Sequence, residues 1–157
     1  MRNALAICMF VVAFLAGCST TPEASPQSDA DAKRFETAAR ASIIYLYRAD
    51  LWGGVSTIWI DDRLIGQSVA GTYFRVSVRP GRHRIAVSGS DQGRIVIETT
   101  EDSVHFVEMR VYGDSEGAYT TIFRSVSPEL GKSTIAKCCG LLENWRPGQS
   151  RFPLFGL

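Results

Sequence analysis

Two adjacent thiols are the first place where this sequence could do chemistry. Cys138 and Cys139 are neighbours, and in an oxidising compartment such a pair could take up or give up two electrons. Once Cys8 and Cys18 are assigned elsewhere, as described below, no other thiol is left for a long-range intramolecular disulfide. The plain expectation is two free thiols, at least one packed as a small hydrophobe. A vicinal disulfide and intermolecular pairing are the alternatives. The histidines, His83 and His105, have no histidine, cysteine or carboxylate at a metal-ligand spacing. They are expected at a strand end and on a solvated face; a zinc site joining Cys138 and Cys139 to a distant histidine is the weaker alternative.

Other residues imitate catalytic motifs without completing them. Gly131-Lys132-Ser133-Thr134 looks like the end of a phosphate-binding loop, but Val126 stands where that loop needs its first glycine. The Gly-x-Ser-x-Gly spacing at Gly113–Gly117 falls in a connection between two predicted strands, not at the strand-to-helix turn of a nucleophile elbow, and no Ser-x-x-Lys pair stands in a suitable setting. Asp61-Asp62 could suggest paired carboxylates, yet adjacent residues in a turn point apart, and the dipeptide is ordinary hairpin chemistry. The sequence therefore predicts no catalytic residues, no cofactor and no enzyme.

The N-terminus carries a different chemistry. Met1-Arg2-Asn3 supplies a positive head, and Ala4 to Phe14 is an unbroken apolar or small run of signal-peptide length. That run is shorter than the roughly 20 residues a spanning helix needs. Leu15-Ala16-Gly17-Cys18 follows, and it resembles the bacterial lipobox, in which the cysteine sulphur is acylated and the signal is cut just before it. Residues 1–17 are thus expected to be a signal peptide and Cys18 a lipidated N-terminus carrying, by that resemblance, more than one acyl chain such as palmitate. Each buried methylene contributes about 0.8 kcal/mol, and stable anchoring takes two signals. Ser19, in place of the aspartate that tends to retain such proteins at the inner membrane, implies an outer-membrane position facing the periplasm.

Removing residues 1–17 of 157 leaves 140, the size of one domain. Of 17 basic and 16 acidic residues only Arg2 is lost, so the remainder is close to neutral. That balance argues against nucleic acid and against a polybasic membrane patch. Residues 18–40 begin with a Ser-, Thr-, Pro-, Ala- and Asp-rich stretch to about Lys33 without apolar periodicity. It reads as a flexible tether, about 20 residues of it reaching roughly 25 Å, with a short helix expected over 31–41.

Strands take over from residue 41 to 126. The sequence predicts them at 42–48, 55–61, 63–67, 72–78, 82–88, 94–99, 104–112 and 118–126, joined by Gly-, Ser- and Asp-rich turns. Short strands at this spacing predict an all-β fold, a small antiparallel β-sandwich of about seven to eight strands. Asp61-Asp62 is the tight connection between the second and third. Arg79-Pro80-Gly81-Arg82 is a turn signal, and a hairpin drawn across it puts Val78 opposite His83, Val76 opposite Ile85 and Phe74 opposite Val87. The apolar residues then share one face. Arg75, Arg79, Arg82 and Arg84 would collect on the other as a basic strip, either recognising an anionic partner or balanced in solvent by Glu98, Glu101 or Glu108. Residues 127–157 hold a short C-terminal helix, opened by Ser127-Pro128-Glu129 and closed near Gly140. Beyond it lies an apolar arm with Trp145, Phe152, Leu154 and Phe155, which either packs on the sandwich or docks elsewhere.

Taken together, Ile44-Tyr45-Leu46-Tyr47-Arg48, Ile58-Trp59-Ile60-Asp61-Asp62-Arg63 with Ile65-Gly66, Gly71-Thr72-Tyr73-Phe74 and Val78-Arg79-Pro80-Gly81-Arg82-His83 resemble a family of bacterial lipoproteins catalogued only as a domain of unknown function. The Pro-Gly-x-His segment also resembles PEGA-type β-domains of bacterial surface proteins. The resemblance spans about residues 40–125 and implies a small β-sandwich with no catalytic residues to carry over; Asp61-Asp62 stands where the family often has Asp-Gly. The function expected is that of an envelope lipoprotein, attached to a membrane by its lipid, whose non-catalytic β-domain meets an envelope protein partner. A small periplasmic redox protein using Cys138-Cys139 is the alternative.

Overall fold

The computed structural model describes residues 21–51, 54–88, 93–113 and 119–145. Cys18, the segment before it and the arm beyond residue 145 lie outside these. The elements are α1 (Pro26–Ala32), β1 (Ser42–Arg48), β2 (Ser56–Ile60), β3 (Arg63–Ser68), β4 (Thr72–Val78), β5 (Gly81–Val87), β6 (Arg94–Thr99), β7 (Ser103–Gly113), β8 (Tyr119–Val126), α2 (Pro128–Cys138) and β9 (Gly140–Leu141). They form two sheets, five strands in the order β8-β7-β1-β4-β9 and four in the order β3-β2-β5-β6. The all-β sandwich is the fold found, with nine described strands rather than seven or eight.

Two pairings depart from the antiparallel expectation. β1 runs parallel to β7, and β4 runs parallel to β9. The run SIIYLYR explains why: it does not alternate, and all seven residues of β1 are buried. A strand apolar on both faces belongs in the middle of a covered sheet, where parallel neighbours are common. One face, with Ile44 and Leu46, joins Ile58, Ile60, Phe74, Val76, Ile85 and Met109 in the core between the sheets. The other, with Ile43, Tyr45 and Tyr47, packs with Tyr73, Phe106, Ala32 and Ile135 under the helices. The sandwich therefore carries a third, helical layer on one side.

That layer replaces much of the expected tether. Ser25 caps α1, its Oγ accepting from the Ser28 N–H at 3.1 Å. Ala32 is buried, and its carbonyl accepts from the Tyr45 hydroxyl at 2.6 Å. Asp29 anchors the helix: it accepts from Tyr73 Oη at 3.0 Å, from the Leu141 N–H at 2.9 Å and from Lys33 Nζ at 2.7 Å. The helix expected over 31–41 lies earlier, and Phe35 and Arg40 have positive φ, which breaks any helix there. Polar composition misled because the segment docks through one aspartate and two tyrosines of the body, not through an apolar stripe of its own.

The Arg79–Arg82 hairpin is also corrected. β4 pairs with β1 in one sheet, whereas β5 pairs with β2 and β6 in the other. Pro80-Gly81 carries the chain from sheet to sheet. Phe74, Val76, Ile85 and Val87 all enter the same core, so the burial pattern holds while the partners differ. By contrast, Asp61-Asp62 does make the β2–β3 hairpin. Ile60 pairs with Arg63, and both aspartates have positive φ, as a type I′ turn requires.

One side of the sandwich is closed by residues 21–24 and 141–145. The Gln67 N–H of β3 donates to Thr21 Oγ1 at 2.6 Å, and the Trp145 N–H donates to the Ile65 carbonyl at 2.7 Å. Glu143 N–H donates to Pro22 O, and Ala24 N–H to Leu141 O, both at 2.9 Å. These two antiparallel segments bridge β9 of one sheet to β3 of the other.

Candidate functional site

The reactive groups sit where α2 turns into β9. Ser127 caps α2 as its sequence predicts, its Oγ accepting from the Leu130 N–H at 3.3 Å. Gly131 lies against the Phe106 ring, where a Cβ would approach to 2.4 Å, and Ile135 is fully buried. These contacts fix the helix on β7. At its end the Cys139 N–H still donates to Ile135 O at 3.2 Å, and the next amide, Gly140, donates to Gly71 O at 3.0 Å.

Cys138 and Cys139 form a disulfide at this junction, so the vicinal bond replaces the free thiols first expected. Their surroundings differ. Cys138 is exposed, while Cys139 is 5% exposed and packs with Ile43 and Tyr47. Cys139 Sγ lies 3.8 Å from the carbonyl oxygen of Arg48, which also accepts from the Gly71 N–H at 2.9 Å. Chemically this is one sulphur open to a nucleophile and one sealed against the end of β1.

That end is held by a buried ion pair. Arg48, fully buried at the close of β1, donates from Nε to Asp50 Oδ1 at 2.9 Å and from Nη1 to Gly54 O at 2.8 Å. The other Asp50 oxygen accepts from the Val111 N–H at 3.0 Å. Arg48 thus holds the loop after β1, and Asp50 ties that loop to β7.

A second cluster joins the β2–β3 turn to the sheet-crossing corner. His83 is buried, with Nδ1 2.5 Å from Asp61 Oδ2 and Nε2 2.7 Å from Arg79 O. The ring is thus held at both nitrogens, by a carboxylate on one side and a backbone carbonyl on the other. Asp61 Oδ1 accepts from the Arg84 N–H at 2.8 Å. Burial pushes the Asp61 carboxyl up, but the bonds from His83 and the Arg84 amide outweigh it and hold the group below the usual range. Bonded at both ring nitrogens, His83 joins the β2–β3 turn to the corner, and the cluster braces it. His105 contacts Ser103 Oγ at 2.9 Å, and burial lowers its basicity.

On the outer face of β7, Glu108 is buried between Arg110 and Arg124, at 3.0 and 2.6 Å. Beneath α2, burial first and the Glu108 charge second raise the Tyr47 hydroxyl.

The expected basic strip does not assemble. Arg75 is in the five-stranded sheet, donating to Tyr45 Oη at 3.2 Å and to Glu36 O at 3.5 Å. Arg82 and Arg84 are in the other sheet, near Glu98 at 4.0 Å and bonded to Asp62 respectively. Arg79 is at the corner between them, its side chain exposed. The strip was drawn on a β4–β5 pairing that the chain does not make, so Arg75 and Arg79 are parted from Arg82 and Arg84, which stay together on the exposed face of β5. Among the described residues no group of three His, Cys, Asp or Glu side chains could hold a metal ion. Sequence reading missed the Asp61–His83 and Arg48–Asp50 pairs. A signal for the latter lay in a charged residue closing an otherwise apolar strand.

The chain is 28% identical over 132 residues to an uncharacterized protein of Haemophilus influenzae, covering 81% of this chain and 77% of that relative. No protein-family model and no solved structure matches it.

Proposed function

We propose that this chain is an envelope lipoprotein: a signal peptide over residues 1–17, acyl chains on Cys18, and a non-catalytic β-domain acting as an interaction or structural module beside the outer membrane, on its periplasmic side. The observation that carries this reading is Leu15-Ala16-Gly17-Cys18 directly after an apolar run of secretion-signal length. The fold supports it: the buried polar groups Arg48, His83 and Glu108 each join one element to another. Among the described residues no helix is long and apolar enough to cross a membrane, so in this reading the lipid supplies the attachment. Mass spectrometry of the mature protein tests it, with acylated Cys18 as the first residue expected. An intact leader, or an unmodified Cys18, overturns the reading. Crosslinked recovery of partners from the native envelope, beside a Cys18→Ala form, then tests the interaction role.

The Cys138–Cys139 bond favours a second reading, a small periplasmic redox protein. An external dithiol would attack the exposed Cys138 sulphur, breaking the bond and releasing Cys139 as a thiolate that takes a proton. Attack by the second thiol on its own sulphur in the mixed disulfide frees Cys138, which is also protonated, and leaves the external disulfide. Two electrons and two protons pass inward. Thiol titration under oxidising and reducing conditions should show that change. Unaltered function after Cys138→Ser with Cys139→Ser would dispose of this reading.

A further inference from the structure

The ordered body begins much closer to the lipid attachment point than a free tether would allow. Thr21 is already bonded to β3 through Gln67, Pro22 to Glu143, and Ala24 to Leu141. Glu23 bridges to Leu142. Only Ser19 and Thr20 separate Thr21 from Cys18. Three Cα-to-Cα steps of 3.8 Å give that link at most about 11 Å, however it is arranged. A domain of this size has a radius of gyration near 14 Å. A body larger than its leash cannot turn every face toward the surface that holds it.

We infer that the domain rides on its membrane in a fixed sense, with the seam between β3 and β9 toward the lipid headgroups and the β8 edge away from them. The inference rests on the acylation of Cys18. The seam has the right place in the fold: Thr21 and Trp145, the first and last described residues, both meet β3, at Gln67 and Ile65. β8 is the far edge of the five-stranded sheet. Four strand spacings of about 4.8 Å set it ~19 Å from β9. A partner approaching from solution therefore meets the β7–β8 end, where Tyr112, Tyr119 and Ile122 are exposed.

The test uses the full acylated chain in phosphatidylcholine vesicles carrying a headgroup nitroxide lipid. A fluorophore is placed on a single cysteine without reductant, which leaves the Cys138–Cys139 bond closed. Seam labels go at Glu143→Cys or Glu23→Cys, and the far label at Thr120→Cys; all three side chains are exposed. The seam labels should be quenched at least three-fold more than the far label. A Gly-Ser insert of about 15 residues between Ser19 and Thr20 should bring the ratio toward one, because its reach then exceeds the size of the body. A ratio near one with the natural link, on protein whose Cys18 carries its acyl mass, overturns the orientation alone. Absence of that mass overturns the lipoprotein reading and the orientation with it.

Discussion

Replacing Gly131 with alanine sets two effects of opposite sign against each other, and the structure decides between them. Alanine is favoured over glycine in a helix interior by about 1 kcal/mol, so propensity alone predicts a gain. The added Cβ, however, would come within 2.4 Å of Phe106 Cγ and Cδ1 and 2.6 Å of Phe106 Cβ. Phe106 has little room to retreat. Its ring stacks on Tyr45 at 5.2 Å between centroids and meets Phe35 edge-on at 5.7 Å. Overpacking costs typically 1–3 kcal/mol; a contact this far inside van der Waals distance takes the upper part of that range, about 2–3 kcal/mol, leaving a net loss of about 1–2 kcal/mol. At roughly 4 °C per kcal/mol for a domain of this length, Gly131→Ala should lower the melting temperature by about 4–8 °C in calorimetry. Phe106→Ala alone should cost about 3–5 kcal/mol. With both changes the alanine methyl enters the space the ring vacated, so the pair should fall short of the sum by the overpacking cost, about 2–3 kcal/mol. An unchanged or raised melting temperature in Gly131→Ala would refute the argument that Phe106 sets the distance of α2 from β7.

Asp50→Asn should cost about 3 kcal/mol in urea denaturation, because it leaves the fully buried Arg48 without its carboxylate; a loss under 1 kcal/mol would show the pair is not the brace described. Asp61 has a lowered carboxyl in the fold, so its contribution is complete above the usual carboxylate range and disappears as pH falls through the folded value. Asp61→Asn should therefore flatten the stability profile below about pH 4, and an unaltered slope there would count against the His83 bond. After reduction of the native fold, alkylation should reach Cys138 at least about ten times faster than Cys139, as their exposures imply. Equal rates by peptide mass spectrometry would show that the buried sulphur is not sealed.

Much of the architecture was legible because alternation records burial. Phe74, Val76, Ile85 and Val87 were assigned correctly to the core, and Ser127-Pro128-Glu129 marked the start of α2. Alternation does not record which strand lies alongside, so β4 and β5 were paired across a turn that in fact changes sheets. Local sequence favours the nearest partner, whereas β1 is joined to β7 about sixty positions away. The docking of α1 was illegible for a similar reason: Asp29 is read as solvent-exposed until Tyr73 and Leu141 arrive from elsewhere. The cysteines were found as a pair, but adjacency alone could not show that one would be buried at the end of β1. The basic strip failed because it depended on the wrong pairing.

The central place of β1 also bears on how the chain acquires its structure. When the polypeptide emerges N-terminus first, this stretch of Ile, Tyr and Leu appears well before the strand that will flank it, since Ser42 pairs with Ser103 and Tyr47 with Glu108. Until then it is an uncovered, sticky ribbon with free backbone groups along one edge. Such long-range parallel closure is slow and open to mispairing between molecules. Residues 42–48 are therefore the stretch where contacts between unfinished molecules would begin, until the second half of the chain has been delivered.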